Sequence, residues 1–193
     1  LTVKAYDRAE SRAVSSLPGR IIEAGSPGTF ALRGYPDRAA KDDQLWRYID
    51  AMHELGDEEN YQSSLGGLTG AEYEMFKHIS EVVARFTKKR FGHAIIPKGA
   101  LVRAFMTFRH IRFLSDPETT TVFELGPGSG YLGALLAMDG YRYAGSDVAQ
   151  GFYIAQSLLW HQLFGDRLIE LATDSRTLDA FEELPADTVL HVP

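Results

Sequence analysis

The residues best equipped for chemistry in this 193-residue chain lie in one run, Phe123-Glu124-Leu125-Gly126-Pro127-Gly128-Ser129-Gly130. A short apolar and β-branched stretch, Thr119 to Leu125, leads into the glycines, and a helical stretch, Tyr131 to Met138, leads out. A glycine turn between a strand and a helix suits a nucleotide-like ligand. Its backbone can bend sharply and come close to the ligand, while the helix start offers N–H groups without intrahelical partners. Gly126, Gly128 and Gly130 fit that use. Asp147 ends the next strand-like stretch, 17 residues after Gly130, where a carboxylate can accept hydrogen bonds from both ribose hydroxyls. Each charge-assisted bond of this kind contributes about 1.5–3 kcal/mol. The glycines leave two cofactors open, because Gly128-Ser129-Gly130-Tyr131-Leu132-Gly133 also matches G-x-G-x-x-G, and Asp147 serves NAD(P) equally well.

Glu124, two residues before Gly126, tips the balance through a family resemblance. The run Glu124-Leu125-Gly126-Pro127-Gly128-Ser129-Gly130 resembles motif I of the class I S-adenosylmethionine (SAM) dependent methyltransferases, an acid followed by three alternating glycines. Gly145-Ser146-Asp147 resembles motif II, and Thr173-Asp174-Ser175 follows the third strand-like stretch, as in that family. The resemblance covers residues 119–193. It implies SAM as cofactor, with Glu124 and the glycines at the methionine end, Asp147 at the ribose, and Asp174 and Ser175 at the adenine. The segment from Tyr131-Leu132-Gly133 through Gln156 to Gln162 is also similar to bacterial sugar O-methyltransferases, which carry a helical N-terminal region. The implied reaction is methyl transfer to a small-molecule acceptor such as a sugar hydroxyl. An NAD(P)-dependent oxidoreductase and a non-catalytic SAM-fold subunit are the alternatives.

A hydroxyl acceptor needs a general base. Six histidines, at 53, 78, 93, 110, 161 and 191, show no metal-ligand spacing, which speaks against a zinc or di-metal site. His191 is the candidate base, because it sits near the carboxyl end of the fourth strand-like stretch. His191-Val192-Pro193 departs from the Asn/Asp-Pro-Pro-aromatic motif of many amino-group methyltransferases. Residues 77–112 hold nine Lys/Arg against Glu81 alone. Such a stretch suits an anionic substrate, for example a sugar nucleotide, since arginine forks match phosphate oxygens. It equally suits helix ends and solvated faces.

These residues need a scaffold. After Thr119, strand-like and helical stretches alternate: Tyr141–Ser146, Gly151–Phe164, Arg167–Ala172, Leu178–Glu183 and Thr188–Val192. That alternation predicts an α/β fold with a doubly wound, Rossmann-like parallel sheet. It supplies about four of the seven strands of the family's sheet, so the sheet is expected to be incomplete. Before it, the 3.6-residue period predicts three helices, over 41–55, from Thr69 to Arg90, and from Pro97 to Leu114. Turn signals at Pro18-Gly19, Ser26-Pro27-Gly28 and Gly34-Tyr35-Pro36 mark residues 1–40 as an irregular arm. The expected division is therefore an N-terminal arm and helical region, 1–117, and a SAM-binding region, 118–193.

Composition sets the outer bounds. With 45% apolar and 24% charged residues the chain is globular. It has no cysteine, which removes disulfides, thiolate chemistry and cysteine-bound zinc and fits a cytoplasmic location. No stretch approaches 18 consecutive apolar residues, so no membrane span is expected. The net charge of −6 is uneven: residues 1–117 carry 17 Lys/Arg and 15 Asp/Glu, whereas residues 118–193 carry 3 and 11. An acidic surround favours a cationic ligand such as the SAM sulfonium and disfavours nucleic acid.

Overall fold

The structure is a computed structural model that describes residues 1–16, 38–54, 63–147, 149–174 and 185–193. Ser175, the helix expected over 178–183 and the three turn signals between Pro18 and Pro36 lie outside the described residues.

The first residues correct the expectation of an irregular arm. Helix α1 spans Val3–Ser16, and Thr2 caps it by accepting the Ala5 N–H at 3.2 Å. The breakers all begin at Pro18, so nothing interrupts the stripe of Val3, Tyr6 and Ala9, which is buried. A 3-10 turn, Asp42–Gln44, leads into α2, Leu45–Glu54, which buries Leu45, Tyr48, Ile49 and Met52. Helix α3, Gly70–Phe91, begins with a capping box: Thr69 Oγ1 accepts from the Glu72 N–H and Glu72 Oε2 accepts from the Thr69 N–H. Gly92 ends it in the left-handed conformation, φ 82°. Helix α4, Lys98–Leu114, stops at Ser115 as the Ser-Asp-Pro breaker predicts.

Four strands follow, β1 Thr121–Leu125, β2 Arg142–Ser146, β3 Leu168–Glu170 and β4 Val189–Val192, forming one all-parallel sheet. Helices α5, Tyr131–Met138, and α6, Gln150–Phe164, connect β1 to β2 and β2 to β3. The mixed α/β class with a parallel sheet of four strands is as predicted. The strand order is β1-β2-β4-β3. In the doubly wound dinucleotide fold the first strand lies between the second and the fourth. Here β4 lies between β2 and β3, and β1 is an edge strand with Phe123 and Leu125 exposed. The register aligns Glu124, Gly145 and His191 across β1, β2 and β4.

Packing joins the N-terminal helices to the sheet. Ile79 and Val83 of α3, and Leu101 and Phe105 of α4, share one core with Leu135 of α5 and Trp160 of α6. A second cluster packs Tyr6 of α1 and Leu45 and Tyr48 of α2 on Tyr153 of α6. Fully burying such side chains contributes roughly 1.5–3 kcal/mol each, which presses α1 and α2 against the helix that follows β2. Gly151 makes this approach possible: a Cβ there would sit 2.4 Å from the Tyr48 ring. Among the described residues no helix is long and apolar enough to cross a membrane.

Candidate functional site

The glycine loop joins the carboxyl end of β1 to α5. Gly126, Gly128 and Gly130 have φ of 72°, 56° and 73°, a region that side chains with a Cβ rarely adopt. The loop is pinned by Gly126 N–H donating to Ser146 O at 2.8 Å and Gly130 N–H donating to Pro127 O at 3.0 Å. A Cβ on Gly126 or Gly128 would meet nothing within 4 Å. On Gly130 it would lie 3.1 Å from Trp160 Nε1, and on Gly133 2.4 Å from the Tyr143 ring. The loop therefore opens at its first half and is closely packed at its second.

Glu124 and Asp147 occupy different surroundings. Glu124 Oε2 accepts from the Tyr143 hydroxyl at 2.5 Å, and burial raises the carboxyl pKa against the lowering effect of that bond. Asp147 is 6% exposed. Its Oδ1 accepts from Ala149 N–H at 2.9 Å, and its Oδ2 accepts from Gln156 Nε2 at 2.8 Å. The same Gln156 amide donates to Gly128 O at 2.8 Å. Gln156 thus ties the glycine loop to the carboxylate, a role that no local pattern announces because it sits mid-helix, 28 residues from Gly128.

His191, the candidate base, lies inside the protein. It is wholly buried, stacked on Tyr153 at 3.7 Å and edge-on to Trp160 at 4.6 Å. Gln156 Nε2 is committed to Gly128 and Asp147, so Gln156 Oε1 accepts from His191 Nε2–H at 3.0 Å. His191 Nδ1 then accepts from the Ser157 hydroxyl at 2.7 Å. Burial holds its pKa well below the usual histidine value. Both ring nitrogens are used, so service as a base would require one of these bonds to break. The residue completes a buried polar chain from Ser157 through His191 and Gln156 to Asp147 and Gly128.

A second histidine, missed in the sequence, touches the loop's own helix. His53 of α2 has Nδ1 2.6 Å from Ile49 O, which can only accept, so Nδ1 carries the proton. Its Nε2 then accepts from the Tyr131 hydroxyl at 2.6 Å. Burial lowers the His53 pKa and raises that of Tyr131. The pair borders a cavity of about 20 Å³, room for roughly one water, which Met52, Val83, Phe86, Ser129 and Leu159 also line.

The remaining predicted residues fall elsewhere. Asp174 follows β3, its N–H bonded to Glu170 O at 2.9 Å, and lines a cleft with Ser157, His161 and Thr173. In the basic stretch, Arg109 is held by Glu72 at 2.7 Å and by the carbonyls of Leu65 and Gly67 at 2.6 Å. Arg90 pairs with Asp42 at 3.6 Å and Arg112 with Asp139 at 3.4 Å. Arg109 ties α4 to α3 and to the loop ahead of it, whereas Arg90 and Arg112 make long, partly exposed ion pairs of the kind that contribute about 0–1 kcal/mol. Over Asp147 lies α1: Tyr6 packs on Tyr153 at 5.0 Å, and Gln150 Nε2 donates to Asp7 Oδ1. Burial is the main cause that pushes the Tyr6 hydroxyl up to about 12, with Asp147 among the charges that add to it. Among the described residues no group of three or more His, Asp or Glu could hold a metal ion. No protein-family model matches this chain, and no curated protein or solved structure matches it significantly.

Proposed function

We propose that this protein is a class I SAM-dependent methyltransferase with a Rossmann-like sheet, moving a methyl group from SAM to a small-molecule acceptor. The observation that carries the proposal is the first half of the glycine loop. Gly126 and Gly128 hold left-handed backbone at the carboxyl end of a parallel strand, open space faces them, and Gln156 links Gly128 to Asp147 at the end of the next strand. The cofactor reading is supported by the open space that faces Gly126 and Gly128, where its methionine end would lie, and by Asp147, which would accept from its ribose hydroxyls. Asp147 already has partners on both oxygens, so a ribose must displace or share the Gln156 amide.

SAM, when bound, supplies a methyl group on a sulfonium, which is already a good leaving group. The chain's share is alignment, exclusion of water and disposal of a proton. Tyr131 is buried, and the cavity beside it and His53 has room for about one water, so this pair anchors the start of α5 to α2.

One observation favours the second reading. Gly133 lets α5 pack closely on Tyr143 of β2, the role of the third glycine in the dinucleotide fingerprint. Thermal shift with SAM, S-adenosylhomocysteine and NAD(P) separates the readings, since only a ligand that binds the folded chain raises its Tm. Stabilisation by SAM and S-adenosylhomocysteine is expected; stabilisation by NAD(P) alone overturns the proposal. Asp147→Ala should weaken SAM binding in calorimetry at least about tenfold. Unchanged affinity removes the ribose role.

A further inference from the structure

The strongest unassigned feature is the outer face of α1. Lys4, Arg8 and Arg12 recur every fourth residue, which places the three cations on one side of the helix about 6 Å apart along its axis. Like charges at this spacing repel. Among the described residues none of the three is in an ion pair, whereas Asp7, which lines the same cleft, and Glu10 both pair with Arg38, at 2.9 and 2.6 Å, which cancels one of their two charges. Arg8 spends only its Nε, on the Lys4 carbonyl at 3.3 Å. All three cations are exposed and line a cleft of about 690 Å³ between α1 and Thr173, which follows β3.

We propose that this cleft binds a small molecule bearing two or more phosphate groups, with Lys4, Arg8 and Arg12 as its ligands. A row of unpaired cations facing a concavity is the arrangement that a chain of phosphates completes, and arginine forks pair bidentately with phosphate oxygens. The volume falls within the range of about 300–1,000 Å³ typical of small-molecule sites. A membrane is the wrong partner, because the apolar stripe of α1, Val3, Tyr6 and Ala9, is buried in the protein and has nothing to insert. The phosphate site stands independently of the cofactor. SAM carries no phosphate, so on the function proposed above the cleft serves the acceptor, and that one assignment rests on the proposal.

Calorimetric titration of the full chain with inorganic pyrophosphate and with UDP tests the site. Saturable, salt-sensitive binding is expected, weakened at least about tenfold in Arg8→Glu/Arg12→Glu, as the loss of one charge-assisted bond implies. The milder Arg8→Gln/Arg12→Gln, with helicity checked by circular dichroism, should weaken it in the same direction. Lys88→Glu/Lys89→Glu, an equal charge change at the far end of α3, should leave it intact. No binding of either probe by the unaltered chain, or equal loss in both charge-reversed variants, overturns the inference. So does binding of single-stranded RNA that pyrophosphate fails to displace. A SAM titration of the same samples keeps the two proposals apart: pyrophosphate binding without SAM binding fells the methyltransferase reading alone, and the reverse fells the phosphate site alone.

Discussion

The two halves of the glycine loop use the same residue type for opposite reasons. At Gly126 and Gly128 a side chain would meet open space, and glycine is needed for its left-handed backbone and for the room it leaves. At Gly130, which shares the left-handed backbone, and at Gly133 a side chain would meet the indole of Trp160 or the ring of Tyr143, and glycine is needed so that α5 can lie close to α6 and β2. A motif read as one unit is thus a ligand-facing turn joined to a packing joint. Behind the joint, Trp160 donates to Gly130 O at 2.9 Å and Gln156 donates to Gly128 O, so the packed half holds the open half in shape.

Four measurements can break or sharpen this contrast. The largest effect is expected from His191→Ala, which empties a fully buried ring site beside Trp160 and strips Gln156 and Ser157 of their partner. A loss of about 3 kcal/mol or more is expected by urea unfolding; a variant of normal stability that has lost only methyl transfer would favour the catalytic role of His191 over the structural one. Next, Gly133→Ala should cost about 1–3 kcal/mol through overpacking against Tyr143, with ligand binding spared in the molecules that fold. Gly126→Ala meets no neighbour, so its cost should be confined to the backbone, about 1–2 kcal/mol, while cofactor binding falls disproportionately. Equal behaviour of these two glycine variants in stability and in calorimetry would erase the distinction between the halves.

The smallest effect at neutral pH concerns protonation. Burial lowers the pKa of both His53 and His191 below the ordinary 6.5. The unfolded chain therefore binds protons that the folded chain refuses, and the stability held by these neutral rings is fully present above 6.5 and declines as pH falls below it. Urea midpoints measured from pH 8 down to pH 5 should fall, and should fall less in His53→Gln. A midpoint that rises over that range contradicts the burial of the two rings.

Much of the fold was legible where the instructions are local. The helix expected from Thr69 to Arg90 matches α3 to within one residue at each end, because its caps, Thr69 and Gly92, act within one turn of the helix. Ser115-Asp116-Pro117 closes α4 as expected. The α1 helix was overlooked because the breakers beginning at Pro18 colour the reading of the residues before them, where the buried stripe is only Val3, Tyr6 and Ala9. The place of β1 at the edge of the sheet was not legible, since strand order is chosen by contacts among all four strands and by the paths between them.

What the amino-acid order determined by itself was the set of parts: a glycine turn between a strand and a helix, an acid at the end of the next strand, and capped helices ahead of them. Each depends on backbone preferences and neighbours within a few positions. Tertiary structure alone decided which parts meet. His53 reaches Tyr131 across 78 positions, Asp7 reaches Gln150 across 143, and Gln156 joins Asp147, Gly128 and His191 from three different elements. Such pairings depend on how the helices share the core over α6, and a hydrogen bond between distant residues leaves no periodicity in the chain to announce it.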